Sequence, residues 1–353
     1  MPGEAGEKKA PTGPFPQDAL VYYQVFGRRE QPVTAEEAFG EIDRALDAMT
    51  DVPAEEIAAA KEAFQRLAGD AETFKLTPVT RRENPEFFFE LDEDGPGKLM
   101  QYGSPPLEAS DREIFQQAQT VCGLVYEGAA WPGHQHLELM KRLADVVAQL
   151  SEGIVTDFVA HAINGQMIWR AIMAEQSPQA VHHIVWHTVS DDERRSGERG
   201  VWIHTHGMGK FALPDLELRR VPQNFQENGA SLLVEAAQWL IDNGNVPFAT
   251  IHPFGYHNTE WMFMPVLDEE EHRDGPVLSL VVPHDNPFEP EKMGEGLFAY
   301  GGGVANDEMG PPLEEDDAEI QAAYEQAMET LPAFKQRFEA AAAGHGTDDE
   351  ELC

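Results

Sequence analysis

The sequence predicts an α+β fold with mostly antiparallel sheets and packed helices, arranged as two related α+β units. Three observations lead there. Short runs rich in β-branched and aromatic residues alternate with only a few stretches of helical periodicity. Turn-forming residues punctuate them at close intervals. The 353-residue chain is long for one core.

Taken in order, residues 1–16 are rich in Pro, Gly, Glu and Lys and read as a disordered leader with no apolar core of the export type. Residues 20–26 (LVYYQVF) read as a strand. Thr34 with Glu37 forms a capping box opening a helix whose face carries Phe39, Ile42, Leu46 and Met49. A second helix follows Pro53, with Ile57, Ala60, Phe64 and Leu67 as its stripe and Gly69 as its stop. Residues 86–91 read as a strand, and Ser110 with Glu113 as a capping box for a short helix. Residues 120–127 are strand-like, and 136–150 form an amphipathic helix on Leu139, Leu143, Val146, Val147 and Leu150. Strands at 154–162 and 166–173 are expected to meet in a hairpin through Asn164-Gly165.

A second unit begins near residue 180. Strands are expected at 182–189, 200–208 and 216–221, the first two flanking a charged loop at 190–199. Asn228 is expected to cap a helix that buries Leu232, Leu233, Ala236, Ala237, Leu240 and Ile241 and stops at Gly244. Strands at 260–266 and 277–282 complete it. In domain terms, 17–105 is an N-terminal α+β region, 106–300 the α+β domain carrying the histidine motif, 301–343 a linker and acidic helix, and 344–353 a disordered tail.

Composition narrows the functional classes. Asp and Glu number 63 against 25 Lys and Arg, a net charge of -38. Such a field repels nucleic acid and anionic membrane surfaces and favours cations or a basic protein partner. With nine Lys against sixteen Arg, the acidic surface also fits adaptation to a salty interior. Two cysteines, Cys122 and Cys353, make no disulfide framework, and Cys122 sits in an apolar run that suits a buried thiol. No window has the apolar length of a membrane span. The expectation is a soluble cytoplasmic protein.

The concentrated chemical feature is Trp202-Ile203-His204-Thr205-His206-Gly207-Met208. Alternate residues of a strand share a face, so His204 and His206 would present two imidazoles together, as zinc or iron ligands require. Further ligands would come from Asp215, Glu217, His252, His257, or His183 or His187, leaving a position for water. The competing explanation is structural: several histidines of this half would be half-buried strand residues with satisfied nitrogens. The spacing meets neither the His-Ser-His-Pro pattern of deubiquitinase-type metalloproteases, because Gly207 stands in the proline position, nor a cupin-type site, because Glu217 lies too far from His206. No nucleophile elbow is present, so nucleophilic catalysis lacks a sequence basis.

Residues 201–222 (VWIHTHGMGKFALPDLELRRVP) resemble a pattern, Trp-x-His-Thr-His-Gly-Leu/Met followed by Pro-x-Leu-Glu, of uncharacterised bacterial domains of unknown function, and distantly of suppressor-of-fused-type domains. The resemblance covers about residues 110–282 and includes helix 136–150 with Asp157 after it. It implies a bacterial accessory or immunity-like protein, with Thr205, His206, Gly207, Met208, Leu216 and Glu217 as the family-like positions. On that pattern Gly207 serves a backbone turn or close approach, and Glu217 pairs with Arg219 or Arg220 or caps the 205–207 turn. Two functions therefore stand: a protein-binding module, placed first because no complete catalytic set can be assembled, and a metal-dependent hydrolase centred on His204 and His206.

Overall fold

In the computed structural model the described residues are 18–50, 52–91, 97–98, 100, 107–189, 201–221, 226–244, 251–253, 260–265 and 277–281. The fold is α+β with two sheets. The leader, the 190–199 loop, the 301–343 segment, the tail and His257 lie outside the described residues. Among the described residues the contacts separate two compact units: one comprises residues 18–187 and His206–Leu213, the other the described residues of 188–205 and 214–281.

The first unit is built on a five-stranded antiparallel sheet. Its strands are β1 (Ala19–Gly27), β2 (Phe74–Thr80), β3 (Thr120–Gly128), β4 (Gly153–Asp157) and β5 (Ala162–Asn164), in the order β2-β3-β1-β4-β5. Its α-helices are α1 (Ala35–Asp47), α2 (Ala54–Gly69), α3 (Ala109–Gln116), α4 (Gln135–Ser151), α5 (Gln166–Ala174) and α6 (Ala180–His183). Helix α4 lies on β1, β3 and β4, and α1 packs on α4. Central strand β1 is buried along most of its length, and its Phe26 enters a core with Leu91, Met100, Ile114, Phe115, Val121, Ile154 and Ile163. The Thr34/Glu37 capping box is formed as expected, each side chain accepting from the other's backbone N–H.

Several elements depart from the sequence reading, each for a physical reason. Strand β2 was not expected; it carries Pro78, which an edge position tolerates because no outer partner needs its N–H. Residues 86–91 are not a strand. Pro85–Phe87 is a 3-10 turn, after which Phe88 and Phe89 pack edge-on against Phe26. Helix α3 starts at Ala109 after Glu108 with no side-chain cap, so Ser110 and Glu113 make no capping box.

The 154–173 hairpin is absent. Asp157 ends β4, a turn returns the chain as β5, and Gly165 then opens helix α5 rather than a hairpin turn. Buried Asp111 accepts from Gln166 N–H at 3.2 Å in the first turn of α5, and a Cβ at Gly165 would lie 2.6 Å from that carboxylate. In this setting the glycine makes room for a cap. The exposed Met167 and buried Trp169 and Ile172 then follow helical spacing.

The other sheet runs β6-β7-β8-β11-β10-β9, built from β6 (Val185–Val189), β7 (Val201–His206), β8 (Asp215–Val221), β9 (Ile251–Pro253), β10 (Glu260–Pro265) and β11 (Val277–Val281); all of it but Val185–His187 and His206 belongs to the second unit. Pairs β7–β8, β10–β11 and β9–β10 are antiparallel, whereas β8–β11 is parallel. Helix α7 (Gln226–Asn243) packs on β8 through the expected stripe and stops at Gly244, whose φ is +82° and whose N–H donates to Leu240. It starts at Gln226, two residues before the expected cap Asn228. No helix among the described residues is long and apolar enough to cross a membrane.

Candidate metal centre

The first unit gathers three imidazoles around one point. His161, His187 and His206 each offer a ring nitrogen, and the three nitrogens lie within 4.8 Å of one another. Ring centroids are 4.4 Å apart for His161 and His206, 4.7 Å for His187 and His206, and 5.9 Å for His161 and His187. All three residues are half-buried. Zinc holds imidazole nitrogens at about 2.0–2.1 Å, which sets tetrahedral neighbours roughly 3.4 Å apart. Side-chain shifts of about an ångström would close the group on an ion of that size. This histidine triad could bind a metal.

Each histidine comes from a different segment. His161 ends the turn between β4 and β5 in a left-handed conformation, φ +52°, a region where histidine is enriched among non-glycine residues. His187 lies on β6, which follows α6 directly. His206 is the last residue of β7. Burial, with the nearby charge of His161 second, pushes His187 down to about 4, which keeps its imidazole in the neutral form that a metal requires.

Under the triad, the sequence after His206 enters the core. Gly207 adopts φ +118°, and a Cβ there would stand 2.5 Å from the His183 carbonyl oxygen, so the position combines a left-handed turn with a close backbone approach. The 3-10 turn Met208–Phe211 then buries Met208, Lys210 and Phe211. The Lys210 ammonium donates to Asp157 Oδ2 and to the His183 carbonyl, and the Lys210 carbonyl accepts from His136 Nε2 at 2.9 Å. His136 Nδ1 accepts from Trp131 N–H at 3.1 Å, which makes Nε2 the protonated nitrogen. Burial holds His136 down at about 4. Asp157 Oδ1 accepts from the N–H groups of Val159 and Ala160 at 3.1 and 3.0 Å, folding the turn that ends at His161.

A second group of histidines lies in the same unit and differs in chemistry. Glu175, after α5, accepts from His182 Nδ1 at 2.5 Å and from His183 Nε2 at 2.8 Å, with buried Lys141 3.8 Å away. Burial alone would raise the Glu175 carboxyl, but the hydrogen bond and charge of His183, the bond from His182 and the charge of Lys141 outweigh it and lower it. Burial takes His183 to about 4 despite its carboxylate partner. Consecutive residues of a strand point to opposite faces, so the expected strand at 182–189 could not offer both rings to one carboxylate. Residues 180–183 form a helical turn, and β6 begins at Val185.

The residues singled out from the sequence are distributed as follows. His206 joins the triad, together with His187. His204 is half-buried in the other unit, in register with fully buried Glu217 of β8. Asp215 accepts from the Thr205 hydroxyl at 3.0 Å, and that hydroxyl accepts from Leu216 N–H at 2.8 Å, joining β7 to the start of β8. His252 lies on β9. Burial drives the Cys122 thiol up to about 12, so it is no nucleophile at neutral pH.

His161 was missed because residues 154–162 read as one continuous strand. Its one local signal was Asp157, a residue type that folds a turn over the next residues by accepting their N–H groups. Compared with protein-family models, curated proteins and solved structures, the chain finds no match.

Proposed function

We propose that this chain is a zinc-dependent hydrolase whose ion is held by His161, His187 and His206. The observation that supports the reading is the convergence of three imidazole nitrogens, from three separate segments, within 4.8 Å. Structural zinc sites use four protein ligands, whereas three histidines with a remaining position for water are a recurrent catalytic set. Three imidazoles also favour zinc over iron, whose open mononuclear sites commonly use two histidines and a carboxylate. When bound, zinc would lower the pKa of its water towards 7 and supply hydroxide for attack on a carbonyl or phosphoryl centre. The chain's own part is to orient the three rings towards one point.

Elemental analysis of the purified protein tests this beside His161→Ala, His187→Ala, His206→Ala and His204→Ala variants. About one zinc per chain is expected in the parent and in His204→Ala, and little in the other three. A parent that takes up no zinc after incubation and dialysis sinks the reading. The zinc-loaded parent should also hydrolyse an activated ester at a rate that rises with pH as the bound water ionises.

A second reading rests on a separate observation, the net charge of -38. It supports a bacterial accessory or immunity-like module in the cytoplasm that captures a basic protein, in keeping with the pattern at residues 201–222. Association that weakens steeply along a salt series is its expected signature. Capture that ignores salt would remove it.

A further inference from the structure

The three triad histidines share one buried anchor. Lys210 is fully buried, and its ammonium donates to the Asp157 carboxylate and to the His183 carbonyl. Asp157 lies four residues before His161, His183 four before His187, and Lys210 four after His206. One ammonium thus ties together the three chain segments that carry the triad. Each tie acts on backbone geometry: Asp157 folds the turn ending at His161 through the N–H groups of Val159 and Ala160. The His183 carbonyl marks where the helical turn α6 gives way to β6, and it sits against Gly207 with no room for a Cβ. The carbonyl of Lys210 is held in turn by His136 of α4, which anchors the 3-10 turn to the sheet's covering helix.

Burying an ammonium and a carboxylate costs several kcal/mol of desolvation per ion, and an apolar pair of the same volume is often as stable. A buried charge pair is therefore poorly explained by stability alone. Its best-attested use is to set register among alternative packings, and here the segments whose register it sets are the three that bear the imidazoles.

We infer that the buried Lys210–Asp157 pair is the positioning device of the metal centre, setting the mutual placement of His161, His187 and His206 without touching the ion. The inference rests on the zinc reading above. It assigns to the Gly207-Met208-Gly209-Lys210 segment a role in metal affinity and geometry that its burial alone would not require.

The test uses Co2+ as the probe, because its visible absorption reports both affinity and coordination geometry. The full-length parent is titrated beside the Lys210→Met/Asp157→Asn double variant, which removes both charges and leaves no unpaired ion in the core. Asp157→Asn alone keeps an oxygen that can still accept from Val159 and Ala160 but leaves the Lys210 ammonium without its counter-charge, so its Co2+ spectrum is read on the folded fraction. Circular dichroism and urea unfolding of the metal-free forms establish that the fold is kept.

The expected result is Co2+ affinity about 10–100-fold weaker in the double variant, the range seen when groups supporting metal ligands are removed. The visible band should also be weaker and displaced, with the smaller effect in Asp157→Asn. Unchanged affinity and an unchanged band in either folded variant overturn the inference and leave the metal centre standing. A parent that binds no Co2+ overturns both. A merely structural pair would lower the urea midpoint and leave the Co2+ spectrum of the folded fraction as it is in the parent.

Discussion

Two histidine groups of the same unit invite comparison. At Glu175 the imidazoles of His182 and His183 face a single carboxylate, with Lys141 beside it, and the hydrogen bonds are made within the protein. At His161, His187 and His206 the converging groups are all imidazoles. The first arrangement neutralises buried polarity internally; the second brings three ring nitrogens within 4.8 Å of one another. Histidine content alone does not mark a metal centre. What matters is whether the rings meet a carboxylate or one another.

Breaking the first group should have the largest effect. Glu175→Ala removes the acceptor of two histidines, while Lys141 keeps Glu138 at 2.8 Å and the Ile172 carbonyl, and should cost about 1–3 kcal/mol of unfolding free energy for each histidine left without its partner. Urea unfolding measures it. A loss well under 1 kcal/mol would mean that the network is incidental.

Acid tests the buried histidines of this unit through titration. His136 and His183 are held at about 4 in the folded chain against 6.5 when unfolded. The unfolded chain therefore binds more protons between those values. The stability they contribute is fully present above 6.5 and is lost as pH falls towards 4, by roughly 3 kcal/mol for each histidine. The unfolding free energy should decline through that window, and substitution of His136 by Gln should flatten part of the decline. A profile flat from pH 7 to about 4.5 would contradict the buried neutral assignment.

Zinc sharpens the comparison with a smaller effect. A ligand that binds only the folded chain adds about 2.7 kcal/mol when present at a hundredfold excess over its dissociation constant. That increment should survive Glu175→Gln and His204→Ala and vanish in His161→Ala. Equal zinc stabilisation of the His161→Ala variant would remove His161 from the centre.

Much of the fold was legible because its signals are local. The capping box at Thr34 and Glu37, the stripe of the 226–243 helix and its stop at Gly244, and the apolar runs of β1 and β3 depend on neighbours within a turn or two. The 201–208 segment stood out, and His206 with His187 came from it and from its named partners. Local reading failed where a side chain from outside the element intervenes. Asn164-Gly165 reads as a hairpin until the Asp111 carboxylate occupies the space beside Gly165. Residues 182 and 183 read as strand until one carboxylate from residue 175 holds both rings.

The sequence by itself determined the α+β class, the acidic character and most helices, because periodicity and capping are properties of contiguous residues. Tertiary structure alone decided which histidines converge. His161, His187 and His206 are far apart along the chain, and their meeting depends on a left-handed turn, a glycine pressed against a carbonyl and a buried ammonium. Those are long-range packing relations, and no window of sequence contains them.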